Sequence, residues 1–249
     1  MSGEFDGRIA LVTGATRGIG RAAALALATA GAHVVAIGRT QGALEELDDA
    51  IVAVGARATL VPLDLTDGDA LDRLAAEVHR RWRKLDVLLA AAGTLGPLTP
   101  AAHVDPAQWT DVMAINFFAN ARLLRAFDPL LRASPAGRAA FLTSSAGHRA
   151  QLRAFWGPYA ASKAALESLI RTYAAETLDI SNVKAMLVNP GPIRTRMRAS
   201  AMPGEDPMTL KTPEDLAPKL LAVCSTKWST SGKLYDYPTD KVMSFSAPT

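Results

Sequence analysis

The chain has 249 residues, 49% of them hydrophobic, enough to bury a substantial core in one α/β domain. Its 27 basic and 24 acidic side chains are spread along the sequence, so the net charge of +3 comes without the basic block that nucleic-acid binding would need. The only cysteine, Cys224, excludes an intrachain disulfide and any multi-cysteine metal site. The opening MSGEFDGR has no long apolar segment behind it, and no apolar run approaches the roughly 18 residues of a membrane span, so the expectation is a cytoplasmic protein with no membrane partner.

In chain order, residues 8–13, 33–37, 58–62, 85–90, 138–143, 183–188 and 233–237 are apolar runs that read as buried strands. Helical periodicity fills most of the gaps. The clearest helix starts are Asp105-Pro106-Ala107-Gln108 and Thr212-Pro213-Glu214-Asp215, where a capping side chain precedes proline at the first helical position. Seven strands joined mainly by helices predict a doubly wound parallel sheet with helices on both faces. No linker divides the chain, so residues 1–249 read as a single dinucleotide-binding and catalytic domain. Residues 194–211, RTRMRASAMPGEDPMTLK, form one long irregular stretch that reads as a mobile lid.

The first strand runs into TGATRGIG at residues 13–20. In a doubly wound sheet the first strand-to-helix turn is a natural phosphate site, because glycine lets the backbone approach the ligand and the helix start offers unpaired N–H groups. Gly14, Thr16, Arg17, Gly18, Ile19 and Gly20 are the expected cradle. The same turn also serves merely to join a strand to a closely packed helix. The second strand ends HVVAIGRT, where NAD-binding proteins commonly place an acid for the ribose hydroxyls. Gly38 occupies that slot and Arg39 follows, with a guanidinium suited to phosphate; Arg17 can add a second charge, and together they favour NADP over NAD. Asp64 and Leu65, after the third strand, are placed for the adenine edge, although Asp64 equally suits a turn or cap.

Residues 157–163 read GPYAASK, so on a helix Tyr159 and Lys163 share a face. An ordinary tyrosine titrates at roughly 10, and a neighbouring ammonium together with a cationic nicotinamide would bring it toward the range of a working acid or base. With this pair in view, the chain resembles the classical short-chain dehydrogenase/reductase (SDR) family from about Arg8 to the last strand. TGATRGIG, Asn116 in VMAINFF, the serines of FLTSSAG, and YAASK followed by NPGPIRT carry the resemblance in order.

The resemblance implies a Rossmann-type single domain and an NADP-dependent oxidoreductase acting on a carbonyl or secondary-alcohol small molecule. It implies Tyr159 as general acid and base, Lys163 lowering its pKa and binding the nicotinamide ribose, and a serine hydrogen-bonding the substrate oxygen. Asn116 would hold a relay water, although an asparagine within a helix can simply bond its own backbone. Ala92 and Gly93 would lie along the cofactor. Pro190, Gly191, Ile193 and Thr195 would border the nicotinamide, with Ile193 and Thr195 holding its carboxamide. It further implies a homodimer or homotetramer built partly on the helices of Asn116 and Tyr159.

The pattern is broken twice. The family's Asn-Asn-Ala-Gly is here Ala90-Ala91-Ala92-Gly93, which removes two polar braces near the cofactor. The family serine lies about thirteen residues before the tyrosine, but that position is Ala146. Ser144 keeps the family spacing to Gly147, which puts a two-residue insertion in HRAQLRAFW; Ser144 is the choice, with Ser145 as understudy, and both can instead cap the strand end. A nonenzymatic NADP-binding sensor or scaffold is the competing class, opposed by the retained Ser, Tyr, Lys and Asn. An extended-branch nucleotide-sugar epimerase fits poorly with TGxxxGxG, and a methyltransferase leaves YAASK unexplained. Arg194, Arg196 and Arg198 either attract an acidic substrate or form a solvated basic loop.

Overall fold

Along the strand Ile9–Thr13 (β1), successive side chains leave opposite faces, and both faces are apolar. Ala10 and Val12 enter one hydrophobic cluster, while Ile9 and Leu11 enter another. A strand buried on both sides needs helices on both sides. The computed structural model, which describes residues 3–149 and 154–245, supplies them. Helices Gly18–Thr29 (α1), Gln41–Ala53 (α2) and Pro213–Cys224 (α9) pack Leu27, Leu47 and Leu220 onto the first face. Helices Gly68–Trp82 (α3), Ala119–Ala133 (α5) and Gly157–Thr177 (α7) pack Leu71, Phe127 and Ile170 onto the second.

The remaining strands are His33–Gly38 (β2), Ala58–Pro62 (β3), Val87–Ala90 (β4), Arg138–Leu142 (β5), Lys184–Asn189 (β6), Leu234–Asp236 (β7) and Lys241–Met243 (β8). They form one sheet in the order β3-β2-β1-β4-β5-β6-β7-β8. All seven expected strands are present and parallel, with boundaries moved by a residue or two. An eighth, β8, adds antiparallel to β7. Its pattern KVM is short and exposed, so it lacked the apolar run by which the others were legible. The strand order reverses between β1 and β4, and a crevice opens there beyond their carboxyl ends.

Both expected helix starts carry caps. Asp105 accepts the Ala107 N–H at 2.7 Å to open Pro106–Met113 (α4), and Thr212 with Asp215 forms a reciprocal capping box on α9. Residues 194–211 depart from the irregular reading. They contain the helix Arg196–Ala201 (α8) and a single 3₁₀ turn at Pro207–Thr209, because Thr195 and Asp206 cap these pieces through their side chains. Cys224 is buried, and burial pushes its thiol up to about 12, consistent with packing.

Candidate active site

The crevice is a cleft of about 680 Å³. Of the expected site residues, all but Asn116 and Ser144 line it. At one end lies the glycine turn. A Cβ on Gly20 would stand 2.2 Å from the Gly14 carbonyl oxygen, so α1 can pack this close to β1 only with glycine there. Arg17 occupies the N-cap of α1 without a side-chain capping bond, leaving the helix start to face the cleft.

At the end of β2, a Cβ on Gly38 would come within 2.4 Å of the Thr16 methyl. The slot that would hold an acid is thus filled from the glycine turn. Arg39 is exposed at the cleft edge. Asp64 lines the same edge, and its Oδ1 accepts both the N–H and the hydroxyl of Thr66 at 2.9 and 2.8 Å. Those bonds, with a smaller contribution from Arg39, hold its carboxyl below the ordinary range, so Asp64 does serve as a turn residue.

After β4, Thr13 Oγ1 accepts the N–H groups of Ala91 and Ala92, each at 3.2 Å, which ties this turn to β1. Asn116 lies in a π-helical turn, Ala114–Phe118, between α4 and α5 rather than in regular helix. Its side chain does not bond its own backbone. Oδ1 accepts the Thr94 N–H at 2.8 Å, while Nδ2 donates to the Thr94 carbonyl at 2.9 Å and to Ser162 Oγ at 3.0 Å. Its main-chain carbonyl accepts from Asn120 at 2.8 Å. Both amide protons are thus taken, so a relay water would meet an oxygen of Asn116.

Ser144 caps the short helix Ser145–His148 (α6), accepting the Ala146 N–H at 3.2 Å. Its hydroxyl lies beside that of Tyr159, close enough to favour the ionised tyrosine. Tyr159 is 8% exposed, its ring edge-on to Trp156 at 5.8 Å. Lys163 Nζ donates to the Leu142 carbonyl at 2.8 Å and lies 5.7 Å from the centre of the Tyr159 ring. Burial pushes the tyrosine hydroxyl above its ordinary value, with the neighbouring Ser144 hydroxyl opposing. Burial likewise pulls Lys163 down to about 8, with Glu167 opposing. Ser145 instead sends its main-chain N–H to Asn189 Oδ1 at 3.1 Å. The expected insertion in residues 148–156 falls largely on residues 150–153, outside the described residues.

Beyond β6, Asn189 Oδ1 also accepts the Gly191 N–H at 3.2 Å, while Nδ2 donates to Asp236 at 2.6 Å. One buried amide thus ties the serine turn, the Pro190-Gly191 turn and β7 together. Thr195 packs its methyl near Gly18, and its hydroxyl accepts the Arg198 N–H at 3.2 Å. Of the three basic residues that follow Ile193, Arg198 is held by Glu205 through two bonds of 2.6 Å, and Arg194 reaches Met208 at 3.4 Å. Arg196 lines the cleft.

The sequence reading missed Thr13, Thr94 and Ser162, whose parts depend on through-space partners. It also missed the apolar wall of Leu95, Ile115 and Trp156, which Met197 joins from the expected lid. Glu167 was detectable: it follows Lys163 by one helical turn, as Lys163 follows Tyr159.

Comparison with known proteins agrees with this geometry. The family model for short chain dehydrogenases matches residues 8–206. The oxidoreductase YciK of Escherichia coli K12 is 41% identical over 220 residues, covering 87% of this chain and 86% of its own. A short chain dehydrogenase of Shigella flexneri, solved in complex with NADP, superposes with a TM-score of 0.89 at 38% identity, covering 95% of this chain and 99% of that one. A counterpart from Escherichia coli CFT073 in complex with NADPH gives the same score and identity, covering 95% and 98%. The fold, the cleft at the strand-order reversal and these similarities have one explanation: the chain belongs to the short chain dehydrogenase family of oxidoreductases.

Proposed function

We propose that the protein is an NADP(H)-dependent oxidoreductase that interconverts a carbonyl and a secondary alcohol, with Tyr159 giving and taking the proton. One observation carries the reading: Tyr159 and Lys163 line the cleft that begins at the glycine turn, with the Ser144 hydroxyl beside Tyr159. The cradle fits a dinucleotide, since the close approach at Gly20 and the uncapped start of α1 suit a pyrophosphate. Arg39 and Arg17 would hold the ribose phosphate, with Asp64 and Leu65 at the adenine edge. Ala92 and Gly93 would border the cofactor's middle, and Pro190, Gly191, Ile193 and Thr195 its carboxamide. A bound nicotinamide would supply or accept the hydride.

Tyr159 protonates the developing alkoxide and Ser144 holds the same oxygen. Lys163 places positive charge beside the tyrosinate that remains. Asn116 fixes Thr94, next to Gly93, whose Cβ position lies 3.6 Å from Lys163 Nζ. The blocked acid slot at Gly38 supports NADP over NAD, as do the NADP and NADPH complexes of the two structural relatives. The wall of Leu95, Ile115, Trp156 and Met197 favours a carbonyl on an apolar body. A cytoplasmic homodimer or homotetramer belongs to the same proposal.

Single-turnover oxidation of NADPH with a reactive diketone, followed by a carbonyl and alcohol panel, tests it. Turnover that disappears in Tyr159→Phe is the expected result. Tight NADPH binding with no oxidation of any panel member would mark the protein as an NADP-binding sensor instead.

A further inference from the structure

Tyr159, Lys163 and Glu167 succeed one another at four-residue spacing on α7 and share one face. Glu167 is 4% exposed. A buried carboxylate is kept only where its charge and its lone pairs are met. Its Oε1 accepts the Thr143 hydroxyl at 2.7 Å and lies 2.9 Å from His148 Nδ1. Thr143 immediately precedes Ser144, and His148 ends α6, the helix that Ser144 caps. One oxygen therefore holds both ends of the serine turn. Gly147 leaves the room for it, since a Cβ there would stand 3.0 Å from that oxygen.

Glu167 is also the charge that answers Lys163. The direct acceptor of the lysine is the neutral Leu142 carbonyl, and the carboxylate one turn along opposes the effect of burial on the ammonium. Three other groups near this face bear on the balance: Tyr159, one turn before Lys163; His148 from α6; and Arg171, one turn beyond Glu167, whose guanidinium stands over the Phe245 ring.

We propose that Glu167 is a positioning residue for the reaction: the buried counter-ion that keeps Lys163 charged, and the latch that fixes the Ser144 turn against α7. The assignment rests on the oxidoreductase reading for its chemical purpose, but its counter-ion part does not need turnover to be measured.

Glu167→Gln separates charge from shape, because the amide oxygen can still accept from Thr143 and His148. Loss of the carboxylate makes the ammonium easier to deprotonate. The Lys163 midpoint, followed by NMR of Nζ-labelled lysine in the free protein, should then fall by about one pH unit or more. The alkaline limb of kcat/KM should move the same way, and Glu167→Asp should restore most of both. Thr143→Val should leave the lysine midpoint in place and lower kcat several-fold through the loosened serine turn. An unchanged midpoint in Glu167→Gln overturns the counter-ion, and an unchanged kcat in Thr143→Val overturns the latch. Should the glutamine variant fail to fold, labelled glutamate in the unaltered protein decides: Glu167 must read as ionised at neutral pH, and a protonated carboxyl refutes the proposal. A shifted lysine in a protein that turns over nothing would sink the oxidoreductase reading and leave this one standing.

Discussion

At the amino ends of β1 and β5, Arg8 and Arg138 are 7% and 5% exposed, and their guanidinium groups are spent on main-chain carbonyls. Arg8 donates to Cys224, Asp86 and Ala136; Arg138 donates to Ser225, Gly137, Asn182 and Thr226. Burial pulls both below their ordinary values. Burial would push the neighbouring Asp86 carboxyl up, yet its bonds with Lys84, Ser134 and the Ile9 N–H together hold it down. At the carboxyl ends of the same strands, a glycine turn, an uncapped helix start, Tyr159 and Lys163 face a cleft. The two ends share strands and core but not purpose. Polar groups at the amino end are matched to the protein itself, whereas several at the carboxyl end are arranged around space for a ligand.

The sharpest way to test this division is to change one end and look for effects at the other. Tyr159→Phe should reduce turnover by roughly a thousandfold, the middle of the range for losing a positioned acid, while NADPH affinity and the unfolding midpoint barely move. Steady-state kinetics with a verified substrate and denaturant unfolding check both halves. Substantial turnover by the phenylalanine variant would mean that the proton comes from elsewhere.

The opposite change is Arg138→Met. It leaves buried carbonyls without donors, and the loss should be about 2 to 4 kcal/mol of stability in urea unfolding, with NADPH affinity of the folded protein unaltered. Weaker cofactor binding without a loss of stability would break the comparison, since the amino end would then be coupled to the cleft.

Within the carboxyl end, Ser144→Ala should lower kcat/KM by roughly a hundredfold, the scale for removing one donor to a developing oxyanion. Ser145→Ala should cost far less, because Ser144 is the serine beside the Tyr159 hydroxyl. The reverse order of losses would place the insertion on the other side of the serine motif.

How legible these two ends were in the sequence follows from the range of the interactions. β1 and TGATRGIG could be read because a strand, a turn and a helix start are local events. Ser144 could be chosen over Ser145 from its spacing to Gly147. Arg8 and Arg138 read only as strand-end residues, since their partners lie as far along the chain as Cys224 and Thr226. Asn116 was found by motif, but its clasp on Thr94 was not, because the π-helical turn that aims it has no simple periodic signature.

A smaller effect concerns the adenosine end of the cleft. Loss of a charge-assisted phosphate contact costs on the order of 1.5 to 3 kcal/mol, so Arg39→Ala should weaken NADPH binding at least tenfold and leave NADH nearly unchanged. Equal losses for both cofactors would remove Arg39 from phosphate recognition and leave it as a neighbour of Asp64.

The smallest expected effect is in residues 194–211, proposed here as a lid over the substrate. Its neck is fixed where the Arg194 N–H donates to the Lys211 carbonyl at 2.8 Å beside the Ile193–Lys211 bridge. Beyond the neck, α8 is a single short helix stapled by Arg198 to Glu205, and Met197 turns toward Tyr159 and Trp156. A segment tied at its neck and internally stapled would move as one flap, and its methionine suits an adaptable apolar cover. Hydrogen exchange across α8 should therefore slow a few-fold when cofactor and substrate are bound together, and less with cofactor alone. Glu205→Gln, which removes the charge of the staple, should speed exchange in the free protein and raise KM more than it lowers kcat. Exchange that ignores both ligand and staple would return these residues to the static wall of the cleft, and the carboxyl end would then be preformed throughout, like the amino end.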